Sequence, residues 1–167
     1  MDMQDSRRIA APREVVWAAL NDPEVLKAAI PGCDSVEKTG DNELAAQVTL
    51  KIGPVKASFS GKVTLSNIDP PNGYTISGEG QGGAAGHARG GADVRLEADG
   101  EETILHYTVR AEVGGKIAQL GSRLIDATAK KLAGEFFERF AAEVAPPTPE
   151  EAASNTPKKK WWKLGLG

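Results

Sequence analysis

One stretch limits the folds open to this chain more than any other. From Gly114 to Val144 it runs without a proline for about eight helical turns. Ile117, Leu120, Leu124, Thr128, Leu132, Phe136 and Phe140 recur there at three- and four-residue spacing. That spacing places them along one side of an α-helix, and Lys116, Arg123, Lys131, Glu135 and Arg139 take much of the remainder. Gly114-Gly115 marks the start and Pro146-Pro147 the stop. A helix apolar along such a length predicts a large apolar surface for it to lie against.

The preceding residues supply a sheet. Residues 6–10 (Ser-Arg-Arg-Ile-Ala) read as a short first strand. Pro12 and Glu14 suit the first turn of a helix whose apolar side is Val15, Val16, Ala19 and Leu20. Asn21-Asp22-Pro23 ends it and caps a second helix, with Val25, Leu26, Ala29 and Ile30 apolar, which Pro31-Gly32 stops. From about residue 34 the period changes to that of a strand, about 2. Leu44, Ala46, Val48, Leu50 and Ile52 share one face, as do Val55, Ala57, Phe59, Gly61, Val63 and Leu65 after the Gly53-Pro54 turn. Tyr74, Ile76, Gly78 and Gly80 follow, then Ala88, Gly90, Ala92, Val94 and Leu96. After the hairpin signal Asp99-Gly100 come Leu105, Tyr107, Val109, Ala111 and Val113. Alternation on one side only means a sheet with one wet and one covered face. The expected class is α+β: a curved antiparallel sheet of about seven strands wrapped around the long C-terminal helix, with two short helices after the first strand. This is the helix-grip arrangement.

The covered face is under-filled. Ala46, Ala57, Gly61, Gly78, Gly80, Ala88, Gly90, Ala92 and Ala111 cannot occupy the layer between sheet and helix at ordinary packing density. Either the sheet bends sharply at its glycines or a space remains. Taken together, the set favours a cavity. Its walls are expected at Leu26, Ile30, Phe59, Val63, Tyr74, Ile76, Leu105, Tyr107, Ile117, Leu120 and Leu124, with Leu120 and Leu124 as first choices for contacts. With no charge among these residues, the contents should be apolar. The hydroxyls of Tyr74 and Tyr107 either orient a polar head within it or find partners in the core.

Catalytic chemistry finds little support. Gly78-Glu-Gly80-Gln-Gly82-Gly83 matches G-x-G-x-x-G, but a strand pattern follows it where a dinucleotide site needs a helix N-terminus. The two histidines, His87 and His106, fall on outward strand positions. No convergent ligand set suits a metal, so no metal site is expected. Cys33, the single cysteine, lacks a neighbour that would lower its pKa, and reads as a small buried thiol in a reducing compartment. No inward acid–base pair stands out, so no catalytic residue is assigned. A net charge of −3 excludes a polyanion binder, and no nucleic-acid partner is expected. At 167 residues the chain suits one domain. It shows neither a signal peptide nor a spanning segment. The expected address is the cytoplasm, with peripheral contact at the cytoplasmic membrane.

The last residues differ from all before them. Residues 1–145 form the expected ligand-binding domain, and residues 146–157, rich in Pro, Ala, Glu, Ser and Thr, read as a flexible linker. Residues 158–167 follow as a basic, tryptophan-containing tail. Lys158, Lys159, Lys160 and Lys163 beside Trp161 and Trp162 suit an anionic membrane surface. The lysines contribute about 1 kcal/mol each and indoles favour the headgroup layer, which gives reversible contact. A docking peptide for a protein partner and a solubilising tail are the other readings.

Ile30-Pro31-Gly32-Cys33, the glycine-rich Gly78–Gly91, and Gly114-Gly115-Lys116-Ile117-Ala118-Gln119-Leu120-Gly121-Ser122-Arg123-Leu124-Ile125-Asp126 resemble the G-subunit family of carbon monoxide dehydrogenase. That family belongs to the START/Bet v 1-like, polyketide cyclase-like helix-grip superfamily. The resemblance covers about residues 3 to 143 and leaves the tail outside, although family members often carry a membrane-associating extension. It implies a non-catalytic accessory protein of an aerobic, molybdenum-type carbon monoxide dehydrogenase or a related molybdenum hydroxylase. Such a protein brings the enzyme to the membrane and handles its quinone acceptor. No covalently bound cofactor is implied, and a menaquinone- or ubiquinone-like ligand is. Two other roles stay open: a recruitment or maturation adaptor without ligand transport, and a cyclase- or hydrolase-like enzyme.

Overall fold

The structure, a computed structural model, describes residues 1–144. The linker and tail readings, including Lys158–Lys160, Trp161, Trp162 and Lys163, lie outside the described residues. Strand β1 (Asp2–Ile9) leads into helices α1 (Arg13–Leu20) and α2 (Pro23–Ala29). Strands β2 (Cys33–Gly40), β3 (Glu43–Ile52), β4 (Val55–Asp69), β5 (Gly73–Gln81), β6 (His87–Asp99) and β7 (Glu102–Gly114) follow, and helix α3 (Ser122–Val144) closes the order. The second helix starts where the sequence capped it: the Asp22 side chain accepts from the Glu24 N–H at 2.9 Å, with Pro23 as first residue.

All seven strands form one antiparallel sheet in the order β1-β7-β6-β5-β4-β3-β2. It is a six-strand meander with β1 returned beside β7, so both chain-terminal portions of the fold meet at one edge. The pairing Ile76↔Ala92↔Val109 and the pairing Gly80↔Ala88↔Val113 place these residues in two rows across the same face. Helix α3 lies over that face. A main cluster joins Ile9, Val16, Leu20, Leu96, Leu105, Phe140 and Val144, and a smaller one joins Ile52, Phe59, Ile117 and Ile125.

One expectation is corrected. The chain does not form a single helix from Gly114. Strand β7 runs to Gly114, residues 116–120 make a 3-10 turn, and α3 begins only at Ser122. Gly115 (φ +79°) and Gly121 (φ +96°) take backbone conformations that interrupt a helical ladder and that glycine adopts without a Cβ penalty. The apolar spacing survives this break because Ile117 is still directed inward, at 2% exposure.

Candidate functional site

The inward face carries two apolar chambers. The first, about 320 Å³, is lined by Leu26 of α2 and Ile30 just after it, Val36, Leu44, Ala46, Val63 and Leu65 of β2–β4, and Tyr74, Ile76, Ala92 and Val94 of β5–β6. Leu105, Tyr107 and Val109 of β7, Met3 of β1, Leu20 of α1, and Ala133, Phe136 and Phe137 of α3 complete it. The second, about 270 Å³, lies one step along the helix, against Ile125, Thr128, Ala129 and Leu132. Its sheet wall is Val48, Leu50, Ile52, Phe59, Gly80, Ala88, Ala111 and Val113, with Met1 and Ile117 at the ends.

The glycines serve both of the purposes that the sequence left open. A Cβ on Gly78 would lie 2.9 Å from the Lys62 carbonyl oxygen, and one on Gly90 would collide with the Arg110 carbonyl. At these positions the backbones approach too closely for a side chain, so the sheet bends there. At Gly61 and Gly80 the nearest atoms would be 3.6 and 3.8 Å away, ordinary contact distances. There the missing side chain leaves space.

The first chamber has an aromatic wall. Tyr107 and Phe137 stack at 5.0 Å between centroids, Phe136 meets Phe137 edge-on at 5.0 Å, and Phe140 stacks behind Phe136 at 5.6 Å. The Arg7 guanidinium sits 5.6 Å over the Phe137 ring, a cation–π contact at the edge of this wall. The two tyrosines differ in commitment. The Tyr74 hydroxyl donates to the Leu20 carbonyl at 3.3 Å, and burial pushes its pKa up to about 12. The Tyr107 hydroxyl makes no hydrogen bond among the described residues and belongs to a chamber wall that is otherwise apolar. Tyr74 and Tyr107 are the two hydroxyl-bearing side chains of that lining.

Of the residues expected at the cavity, Leu26, Ile30, Val63, Tyr74, Ile76, Leu105 and Tyr107 line the first chamber, and Phe59 and Ile117 line the second. Leu120 and Leu124 are placed elsewhere: both approach Gly53 in the β3–β4 turn, where a Cβ would meet Leu124 Cδ2 at 2.8 Å and Leu120 Cδ1 at 3.9 Å. Sequence reasoning missed Ala133 and Phe137. They belong to a second ladder, Ile125-Ala129-Ala133-Phe137, whose strict four-residue spacing could have shown that α3 is apolar over a broader arc.

The opposite sheet face holds a wider recess, about 770 Å³, bordered by Lys62, Glu79, Arg89, Arg110 and Glu112. Both of its arginines are paired: Arg89 with Glu112 at 3.0 Å and Arg110 with Asp93 at 3.6 Å. Exposed pairs of this kind hold little energy and present no single sign to a ligand. On the same face Ser6 Oγ lies 3.0 Å from His106 Nδ1, and His106 Nε2 lies 2.9 Å from Glu97. This serine–histidine–carboxylate chain is half exposed on the outer sheet face, and none of its three residues lines the recess or either chamber. Cys33 is partly buried, its thiol donates to the Ser35 carbonyl at 3.4 Å, and burial pushes its pKa up, the reverse of what a nucleophile needs. Among the described residues no group of His, Cys, Asp or Glu converges to hold a metal ion. The glycine motif Gly78–Gly83 ends β5 and leads to a three-residue 3-10 turn and then β6, so no helix N-terminus faces it.

A curved antiparallel sheet closed over a long C-terminal helix, with two short helices after the first strand, defines the helix-grip class of START/Bet v 1-like proteins. The solved structures agree. A START superfamily protein from Mycobacterium smegmatis is similar at 13% identity and a TM-score of 0.67 over 86% of this chain and 96% of that one. The ZhuI aromatase/cyclase from Streptomyces sp. R1128 is similar at 15% identity and a TM-score of 0.61, over 96% and 99%. At such identities the likeness shows the fold alone. A conserved protein from Geobacillus kaustophilus is much nearer, at 33% identity and a TM-score of 0.82 over 87% of this chain and 95% of that one. The chain belongs to the CoxG family, the G-subunit family of carbon monoxide dehydrogenase, whose family model matches residues 6–145. A comparison with curated proteins gives no match.

Proposed function

We propose that this chain is a non-catalytic accessory protein of an aerobic, molybdenum-type carbon monoxide dehydrogenase, which carries a quinone-like lipophile in its first chamber and links the enzyme to the membrane quinone pool. The aromatic-walled chamber is the observation that carries this reading. The stacked pair Tyr107–Phe137, with Phe136 edge-on beside it, suits a flat conjugated ring, and the aliphatic second chamber, adjoining along α3, suits an apolar chain. Tyr107 supplies one hydroxyl for a ring carbonyl. A volume of about 320 Å³ fits within the usual range of small-molecule sites. The chamber walls hold no acid–base pair, which favours carriage over chemistry. The partner enzyme follows from family membership.

Access to the pool falls to the tail. No helix among the described residues is long and apolar enough to cross a membrane. Lys158–Lys160, Trp161, Trp162 and Lys163 then provide reversible contact with an anionic surface. Organic extraction of gently purified protein tests the carrier reading: a prenylated quinone or other lipid in the extract is expected, and an empty extract contradicts it. Deleting residues 158–167 separates this reading from an adaptor without cargo. If the chain is an adaptor, the deletion releases the dehydrogenase from membranes and filling the chamber by Ala92→Phe changes nothing. If it is a carrier, either change abolishes quinone transfer.

A further inference from the structure

The second chamber has an open flank. Strand β2 begins at Cys33, which pairs with Val48, and the Gly32 carbonyl accepts the Thr49 N–H at 2.8 Å. Past that point the last residues of β3 have no strand beside them on that side. A cleft of about 490 Å³ separates this free edge from α3. Leu50, Thr128 and Leu132 line both the cleft and the second chamber. All three are half-buried, and they form the boundary between the two spaces.

The helix spacing agrees with that adjacency. Lys131, Glu135 and Arg139 recur every fourth residue and border the cleft, with Thr128 and Leu132 beside them on the side of Ile125 and Ala129, which line the chamber. Lys51 alternates with the inward Leu50 and Ile52, so it stands on the cleft's outer lip. The cleft thus holds three cations against one carboxylate, Glu135. None of the four joins an ion pair among the described residues, whereas both arginines of the outer recess are paired. In a chain of net charge −3, this flank of an apolar chamber is positive.

We infer that the cleft and the second chamber together form a site for an anionic amphiphile. Lys131 and Arg139 hold its charged head, with Lys51 on the lip, and its single apolar chain passes between Leu50 and Leu132 into the chamber. From Ile125 to Leu132 the chamber extends about 10 Å along α3, and its side chains are apolar apart from the Thr128 hydroxyl. Neither half suffices alone. Exposed cations hold a small anion weakly, and burial of the chain supplies most of the affinity. Under the carrier reading this chain and a quinone's chain compete for one space, but the site itself requires no quinone.

Titration calorimetry of the full chain with decyl phosphate, decanol and inorganic phosphate, all below micelle-forming concentrations, tests the site. Decyl phosphate is expected to bind, and inorganic phosphate to give no heat over the same range. Lys131→Gln/Arg139→Gln changes two exposed side chains, and its urea midpoint confirms folding. It should weaken decyl phosphate by about threefold to tenfold and leave decanol unchanged. Ala88→Phe, which fills the second chamber, should weaken decyl phosphate further, and Ala92→Phe in the first should not. No binding of decyl phosphate, or equal binding to wild type and the charge variant, overturns the head site. Inorganic phosphate binding as tightly as decyl phosphate overturns the amphiphile and leaves a simple anion site. Weakening by Ala92→Phe but not by Ala88→Phe overturns the path into the second chamber. Should decyl phosphate behave as expected while quinone loads neither chamber, this site stands and the carrier reading fails.

Discussion

The two chambers share a sheet face and a helix, yet their walls are built differently. The first has Tyr74, Tyr107, Phe136 and Phe137 in its wall and reaches Leu26 of α2 and Val36 and Leu44 of the β2–β3 hairpin. The second has only Phe59 among aliphatic and small side chains and is closed at one end by Ile117 from the 3-10 turn. Strand β6 runs through both and contributes one alanine to each: Ala92 to the first and Ala88 to the second. Under the carrier proposal the difference assigns the two spaces different parts of one ligand. Aromatic rings offer a flat group their faces, and a wall of mostly aliphatic side chains suits a chain. The outer recess teaches the converse: although larger than either, it is bordered by charges of both signs, with its two arginines already paired.

Substitutions can probe each wall in turn. The largest effect is expected from Phe140→Ala, since Phe140 is fully buried behind Phe136 and anchors the aromatic wall. Urea unfolding should show a loss of about 3–5 kcal/mol. A loss below about 1 kcal/mol would mean that this wall is not core at all.

Alkaline pH should act on the first chamber through Tyr74. Tyr74 is buried with its pKa raised to about 12 from the ordinary 10, so folding favours its neutral form. That contribution is complete below pH 10 and is lost as pH rises toward 12, by roughly 2–3 kcal/mol. Stability measured between pH 9 and 12 should therefore fall further in wild type than in Tyr74→Phe. Parallel curves for the two proteins would count against a committed Tyr74.

The matched alanines come next. Ala92→Phe places a ring inside the first chamber and should weaken binding of an uncharged apolar probe by about tenfold or more, near 1.4 kcal/mol. Ala88→Phe should leave a compact ring probe unaffected and weaken only a probe with a long chain. Equal effects of the two substitutions on the ring probe would merge the chambers into one. The smallest effects belong to the hydroxyls at neutral pH. Tyr74→Phe removes the bond to Leu20 and should cost about 0.5–1.5 kcal/mol of stability without changing probe affinity. Tyr107→Phe should leave stability nearly unchanged and lower affinity only for ligands bearing a carbonyl.

Much of this architecture was legible from residue spacing. Period-2 runs assigned the inward sides of the strands, and the small residues on them announced that the layer was under-filled. Gly61 and Gly78 look alike in a sequence, however, because only a neighbouring carbonyl decides whether glycine makes a bend or a space. The break at Gly121 was hidden for a related reason: a 3-10 turn keeps Ile117 inward, so the apolar stripe runs on where the helix does not. Tyr74 was ambiguous because its acceptor, the Leu20 carbonyl, is 54 residues distant in the chain. Leu120 and Leu124 follow the helix stripe faithfully, but the stripe passes over the β3–β4 turn before it reaches the chambers.

Whether the first chamber carries a quinone can be read by native mass spectrometry after contact with quinone-bearing liposomes, with wild type and Ala92→Phe compared and urea midpoints confirming that both are folded. A wild-type species heavier by one quinone is expected, beside a variant at its bare mass. Equal loading of the two proteins, or no loading of either, would contradict carriage in that chamber.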